Sequence, residues 1–163
     1  MRCQAKPEMG EGGVRPMRPS DRAAVLEMRR LLWPDDDRTD DPGEQVLVWE
    51  QDGVLVGFVI YSVRAWADGC TERPVPYVEG WFVREELRRR GIGRALVSAV
   101  EEIARARGFR ELGSDAELDN AVSLEAHRRL GFEPTERVQF FRKSLRPEGG
   151  RPAAGAGLDL NED

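Results

Sequence analysis

The sequence contains very little histidine and cysteine: one histidine, His127, and two cysteines, Cys3 and Cys70, among 163 residues. Two cysteines this far apart form neither a disulfide framework nor a zinc cluster. A single histidine also argues against a histidine-built metal site, so we expect no metal. The low cysteine content favours a reducing compartment, and we expect the cytoplasm.

Long apolar runs and an excess of positive charge are missing as well. No stretch reaches the ~20 apolar residues that span a bilayer, and the N-terminus lacks the apolar segment of a secretory signal. A net charge of −5 is unlike the basic footprint of a nucleic-acid-binding protein. We therefore expect neither membrane nor nucleic acid as a partner. An acidic protein suits a cationic partner, although acidity also serves solubility.

Length and composition predict one folded domain with two tails. Residues 1–13 carry no periodicity and end in a glycine-rich run, and residues 146–163 are rich in Gly, Pro and Ala and then acidic. Both ends are typical of disordered segments. The folded domain is then residues 14–145.

Periodicity within that domain predicts alternating strands and helices. We expect strands at residues 14–18, 45–50, 54–63, 75–83, 111–115, 132–136 and 138–143, and helices at 21–32, 91–107 and 119–130. The order indicates an α+β fold in which a central mixed β-sheet is flanked by helices on both faces.

A basic, glycine-containing loop follows an apolar strand and opens the second predicted helix. It reads Arg88-Arg89-Arg90-Gly91-Ile92-Gly93-Arg94. Glycine lets the backbone approach a ligand, and the first turn of a helix offers free N–H groups and a positive dipole end. These features favour a phosphate site; the alternative is a solvated basic turn. The loop is neither a Walker loop nor a Rossmann fingerprint, because G-K-[ST] and G-x-G-x-x-G are absent.

The stretch from Val83 to Leu96 resembles the acyl-CoA signature of the GNAT N-acetyltransferase superfamily, with Arg88, Gly91 and Gly93 at the R-x-x-G-x-G/A positions. The resemblance implies a GNAT-like fold and acetyl-CoA as the acetyl donor. It also implies that backbone amides of the loop bind the CoA pyrophosphate. Main-chain groups of the preceding strand would line pantetheine and acetyl, at Trp81, Phe82 and Val83.

A second block is similar to the superfamily element N-x-x-[AS]-x-x-x-Y-x-x-x-G-F. Asn120 and Ser123 hold its first positions, Gly131-Phe132 its last, and His127 stands where tyrosine is usual. The resemblance implies that Asn120 and Ser123 belong to the CoA site. It also suggests His127 as the proton donor to the departing CoA thiolate, a role that suits a group titrating near neutrality. The alternative is a structural histidine.

Further stretches are similar to the aminoglycoside 6'-N-acetyltransferases, over most of residues 14–145. They are Leu32–Asp35, Val63-Arg64, Asp68–Glu72, Val78–Val83, Ser114-Asp115 and Leu130–Val138. The resemblance implies acetylation of the 6'-amino group of aminoglycosides, antibiotic resistance and a homodimer. Between Pro34 and Val46 the chain is short and holds an acidic loop in place of an expected second helix. Two alternatives remain: a GNAT enzyme for another amine (polyamine, amino sugar or protein N-terminus), or a non-catalytic CoA-binding regulator.

Two carboxylates are candidates for the chemistry. An amine must lose a proton to attack a thioester, and a carboxylate can accept that proton directly or through water. Glu79 interrupts an otherwise apolar strand, an inconsistency typical of functional sites; the alternative is a charge that faces solvent or pairs with an arginine. Asp115 ends the next strand, where ligand groups collect in open sheets. We expect it to bind acceptor ammonium groups or share the base role; the alternative is a capping aspartate.

Other residues are candidates for the acceptor pocket. Glu136 would add a third carboxylate, and Asp35, followed by Asp36 and Asp37, either steers a polycation or is a solvated loop. Trp33 and Trp66 offer faces for sugar rings or ammonium groups, with core packing as the alternative. Cys70 has no adjacent histidine, and the family transfers acetyl directly, so we do not expect a cysteine nucleophile.

Overall fold

The structure is a computed structural model, and it describes residues 12–35 and 41–145. These residues form one five-stranded sheet in the order β1-β2-β3-β4-β5. The strands are β1 Gly12–Pro16, β2 Gln45–Gln51, β3 Val54–Arg64, β4 Val75–Val83 and β5 Gly113–Ser114, and the helices are α1 Arg22–Leu32, α2 Ile92–Ala106 and α3 Ala121–Leu130. Neighbouring strands are antiparallel from β1 to β4, and β5 is parallel to β4. The predicted α+β fold with a mixed sheet is confirmed.

Strand alternation sends apolar side chains to two separate cores. Val59 packs with Leu96 of α2 on one face, and Phe58 packs with Met28 of α1 on the other. All four side chains are fully buried. Full burial of such a side chain stabilises the fold by roughly 1.5–3 kcal/mol. The placement of helices on both faces, expected from the order of the elements, is therefore confirmed.

The pairing of β3 with β4 contains an irregularity that positions one functional candidate. Ile60 pairs with Gly80, but Tyr61 pairs with Val78, so Glu79 is an extra residue in β4. A bulge of this kind bends the strand and redirects a side chain, and bulges are common next to active sites.

The last strand is shorter than the predicted 111–115, because its first residues bond to a loop instead of a strand. The backbone N–H groups of Arg110 and Glu111 donate to the Glu72 carboxylate, and Glu111 in turn accepts from the Thr71 and Glu72 amides. Only Gly113 and Ser114 remain to pair with β4. Beyond Ser114 no ladder joins the two strands in this part of the described chain, so a gap begins there.

The two strands predicted at 132–136 and 138–143 are wrong for this chain on its own. Residues 133–145 have no regular secondary structure, and their large apolar side chains are exposed. A strand forms only where a neighbouring edge supplies hydrogen bonds and a surface to cover. The described residues supply neither for this segment.

The domain limits differ slightly from the prediction. Gly12 and Gly13, expected in the N-terminal tail, belong to β1. Residues 1–11 and the predicted C-terminal tail at 146–163 lie outside the described residues. Among the described helices, none has the length and apolarity needed to cross a membrane.

Candidate active site

The loop between β4 and α2 has the backbone of a phosphate cradle. Gly91 has φ +88° and is the N-cap of α2, a left-handed conformation that favours glycine. The carbonyl of Gly91 accepts the first helical bond, from Ala95. The amides of Ile92, Gly93 and Arg94 therefore have no acceptor within the helix. They add to the positive end of the helix dipole, where an anion is stabilised.

The arginines of this loop differ in how they are held. The Arg88 Nε donates to the carbonyl of Val83 at 2.9 Å, and its guanidinium lies 5.7 Å from the Phe82 ring. Arg94 donates to the carbonyl of Arg129 at 2.7 Å and so ties the start of α2 to the end of α3. Arg89 and Arg90 are exposed. The positive charge thus surrounds the cradle on partly fixed side chains.

The end of β4 presents its main chain toward the gap. Phe82 and Val83 bury their side chains in opposite cores and pair with β3 on one side only. Trp81 is half-buried, and its indole centroid lies 4.7 Å from the His127 ring. The Val83 carbonyl already accepts from Arg88, and contact of the main chain at residues 81–83 with an extended ligand stays a prediction.

Glu79 is held by two side chains from β3. Ser62 donates to its Oε1 at 2.6 Å. Arg64 donates through Nε to the same oxygen at 3.1 Å and through Nη2 to Oε2. Burial opposes the charge on Arg64, but the hydrogen bonds and charge of Glu79 outweigh it and raise the pKa of the guanidinium.

Tyr77 connects this ion pair to Asp115. The Arg64 guanidinium lies 3.6 Å from the centroid of the Tyr77 ring, and the Tyr77 hydroxyl donates to Asp115 Oδ1 at 2.6 Å. Burial of the phenol, together with this bond to a carboxylate, raises the pKa of Tyr77 well above its usual range. Glu79 and Asp115, the two predicted carboxylates, are therefore joined through one arginine and one tyrosine.

His127 lies where β4, β5 and α3 meet. Its Nε2 is 3.0 Å from Ser114 Oγ, and that hydroxyl lies 3.1 Å from the carbonyl oxygen of Val78. Its ring packs against Trp81 and, at 5.3 Å between centroids, Phe132. The imidazole is thus fixed at the closed end of the gap between β4 and β5.

Comparison with known proteins agrees with this geometry. A family model described as the acetyltransferase (GNAT) family matches residues 16–132. The chain belongs to the GNAT family. The resemblance expected from the loop at 88–94 is therefore confirmed.

Several characterised GNAT proteins are similar along most of their length. Aminoglycoside N(6')-acetyltransferase type 1 of Stenotrophomonas maltophilia is 38% identical over 147 residues, which cover 82% of this chain and 94% of that protein. The enzyme of the same name from Klebsiella aerogenes is 37% identical, covering 81% and 96%. The structure of AAC(6')-Iy with the bisubstrate analogue CoA-S-monomethyl-acetylneamine is 32% identical with a TM-score of 0.75, covering 83% and 99%.

The second GNAT block has a visible structural role. Asn120 is the N-cap of α3, and its side chain accepts a hydrogen bond from the Ser123 amide at 3.0 Å. The Ser123 carbonyl in turn lies against His127. Both residues therefore shape the helix that presents the histidine, and their contact with CoA stays a prediction.

Among the residues expected to form the acceptor pocket, Trp33 lies beside Gly80, which follows Glu79 in β4. A Cβ on Gly80 would approach its indole to 2.5 Å, so the ring covers the backbone next to Glu79. Asp35, Trp66 and Glu136 are exposed, and no contact among the described residues joins them to Glu79. Asp36 and Asp37 lie outside the described residues.

Cys70 packs against the apolar cluster that contains Tyr77. It is a free thiol beside Gly113. Burial and the nearby Glu111 carboxylate raise its pKa, which disfavours the reactive thiolate.

Sequence reasoning did not find Arg64, Ser62 and Tyr77 as site residues. The available signal was the period of the strand: Ser62 and Arg64 are two residues apart and so share one face of β3. Each interrupts an apolar run, as Glu79 does in the antiparallel partner strand. The period of the strand does not predict the bulge, and the bulge sets the cross-strand register of Glu79.

Proposed function

We propose that this protein transfers the acetyl group of acetyl-CoA directly to the 6'-amino group of aminoglycosides and so confers resistance to them. The observation that carries the proposal is Glu79, a carboxylate placed by a β-bulge in the strand that precedes the GNAT loop. Support for the acceptor comes from relatives named as aminoglycoside N(6')-acetyltransferases at 38% and 37% identity.

In the proposed reaction, Glu79 removes a proton from the acceptor ammonium, directly or through water. The free amine attacks the thioester carbonyl, a C–N bond forms, and the C–S bond breaks. Main-chain N–H groups of β4 next to the bulge polarise the carbonyl oxygen. As the tetrahedral intermediate collapses, its nitrogen releases a second proton to water, and the departing CoA thiolate takes a proton from His127. The amides at Ile92, Gly93 and Arg94 bind the pyrophosphate, with positive charge from Arg88, Arg89 and Arg90.

The acceptor pocket is proposed to be acidic and aromatic. Asp115 binds a second ammonium group of the polycation, and Trp33 offers its ring beside Gly80. Glu136, Asp35 and Trp66 complete the rim of the pocket from exposed positions. At such positions the charge of the two carboxylates steers a cation more than it anchors one. The net charge of −5 acts in the same direction.

The protein is also proposed to be a homodimer in the cytoplasm. Residues 133–145 expose Val138, Phe140, Phe141 and Leu145, with Phe141 at 92% of its full accessible surface. A second copy would cover this apolar segment. Phe140→Ser/Phe141→Ser should then lower the mass measured by light scattering from dimer to monomer, whereas Val122→Ser, another exposed apolar residue, should not. A wild-type monomer would contradict the dimer.

The free thiol of Cys70 fits a reducing compartment.

The activity is tested by thiol release from acetyl-CoA with matched drugs that have or lack a 6'-amino group. Turnover should require that group. Glu79→Gln should reduce kcat/KM by about 10²–10⁴-fold, and Glu125→Gln on the exposed side of α3 should not. Turnover with peptides or polyamines, but with no aminoglycoside, would show that the acceptor is one of those other amines. CoA binding without turnover of any amine would favour a regulator.

A further inference from the structure

We propose that Arg64 is an exchangeable counter-ion: it occupies Glu79 in the free enzyme and yields that carboxylate to the ammonium group of the acceptor. The inference rests on the proposed function and names a specificity-determining residue for it. It follows from the hydrogen bonds that Glu79 already accepts and from the different exposure of its two partners.

Glu79 has little room for a second cation. Its Oε1 accepts from Ser62 and from Arg64 Nε, and its Oε2 accepts from Arg64 Nη2. An ammonium arriving beside the guanidinium would meet the repulsion of a like charge. The acceptor nitrogen would therefore bind Glu79 more strongly once Arg64 moves away.

Ser62 and Arg64, the two partners of Glu79, differ in how firmly their side chains are held. Ser62 is buried inside β3, and its short side chain has few alternatives. Arg64 is the last residue of β3, and 41% of its side chain is exposed, against 18% for Glu79. A partly exposed ion pair contributes little net stability, so the cationic acceptor can separate it at a modest cost in affinity. Ser62 can keep Glu79 oriented while Arg64 leaves.

The displaced guanidinium has a nearby surface to rest on. It already stacks on the Tyr77 ring, and the hydroxyl end of that ring is bonded to Asp115. A shift along the ring, away from Glu79, would keep the cation–π contact and leave Asp115 to the second ammonium group of the acceptor. The exchange would then need a side-chain movement only.

An exchangeable counter-ion at Arg64 would favour acceptors that carry several positive charges. A resting ion pair must be broken by the ligand, so the observed affinity is the intrinsic affinity reduced by the competition with Arg64. A polycation would compensate through its other ammonium groups, whereas a monoamine would not. Removing the Arg64 charge should therefore improve acceptor binding, which is opposite to the effect of removing a fixed positioning group.

Arg64→Met tests this, because methionine keeps an apolar stem and removes the charge. We expect the KM for neamine to fall by about tenfold, equivalent to about 1.4 kcal/mol, with kcat and the KM for acetyl-CoA within threefold of wild type. Arg110→Met, which breaks a separate ion pair with Glu72, is the matched control and should change neither. A higher neamine KM, or a tenfold loss of kcat in a folded variant, would show that Arg64 is a fixed positioning residue and would overturn the inference.

A binding measurement separates this inference from the acceptor assignment. Calorimetry with spermidine in the presence of CoA needs no turnover, and the Arg64→Met protein should bind spermidine more tightly than the wild type. In the wild type, the ¹⁵N signal of the Arg64 Nε should shift as spermidine is added. An unchanged signal with spermidine bound would refute the exchange. Absence of neamine turnover, with the spermidine results as expected, would refute only the aminoglycoside acceptor.

Discussion

The Nδ1 atom of His127 lies 2.7 Å from the carbonyl oxygen of Ser123, one turn earlier on α3. A carbonyl oxygen only accepts, so Nδ1 carries a proton. Ser114 Oγ lies between His127 Nε2 and the Val78 carbonyl, and it has one proton for these two contacts. Neutral His127 leaves one of them without a proton, whereas the imidazolium supplies both. The site therefore accommodates the protonated ring that a donor to a thiolate requires.

This proton count predicts the behaviour of two substitutions. His127→Gln should lower kcat by about 10²-fold, because general acid catalysis contributes roughly 10²–10⁴-fold. Ser114→Ala should have a smaller effect, since Nδ1 and the ring packing still hold the imidazole. Single-turnover kinetics would measure both, with Arg128→Gln on the exposed face of α3 as the control. Full activity of His127→Gln would leave the histidine a structural residue only.

The donor loop offers a matched pair of glycines. Gly91 and Gly108 have nearly equal φ values, +88° and +86°, and a Cβ on either would meet nothing within 4 Å. Alanine at each should destabilise the fold by about 1–2 kcal/mol, because left-handed backbone is strained for L-residues. Only Gly91→Ala should raise the KM for acetyl-CoA, since Gly108 lies after the other end of α2. Equal KM values in both variants would argue against the loop as the pyrophosphate site.

The sequence predicts what depends on local pattern. The alternation of apolar and polar residues located β2, β3 and β4. The Asp52-Gly53 turn has positive φ at both residues and forms the hairpin expected for that dipeptide. What depends on long-range partners was not predictable. Glu111 bonds to residues 71 and 72, 40 and 39 positions earlier, and this shortens β5. The apolar pattern at 138–143 indicated a strand, but the described residues supply no edge for it.

The same limit applies to the site. Glu79 and Asp115 could be named as candidates because a carboxylate in or after an apolar strand is unusual and because the stretches around them resemble the family. Their connection through Arg64 and Tyr77 required the register of β3 with β4, and a bulge shifts that register by one residue. Such a shift changes which side chains face each other, and periodicity alone does not locate it.

Close packing of Trp33 on Gly80 predicts that this glycine tolerates no side chain. A Cβ there would lie 2.5 Å from the indole, and overpacking typically costs about 1–3 kcal/mol. Gly80→Ala should lower the free energy of unfolding by that amount and raise the KM for the acceptor, because the ring would move from beside Glu79. Urea denaturation and steady-state kinetics check the two effects. Gly13→Ala, where a Cβ meets nothing within 4 Å, is the control.

The buried Asp21 makes stability depend on acid pH. Arg15 donates to both of its oxygens, at 2.6 and 3.1 Å, and the Arg18 amide donates at 2.7 Å. These bonds, that from Arg15 above all, lower the pKa of Asp21 from 3.8 to about 2. A carboxyl whose pKa is lower in the folded state binds its proton more readily when unfolded. Its stabilisation is thus complete above pH 4 and is lost as the pH falls from about 4 to 2.

We expect Asp21 to contribute about 1–2 kcal/mol at pH 6, after allowance for solvent screening of the ion pair. Asp21→Asn should remove this contribution at pH 6 and change little at pH 2, where the wild-type carboxyl is itself becoming protonated. Arg15→Met should produce a similar loss, because it removes the main cause of the lowered pKa. Urea denaturation at pH 6, 4 and 2 measures each free energy of unfolding. Wild-type and Asp21→Asn curves that stay parallel across this range would show that the carboxyl titrates alike in both states.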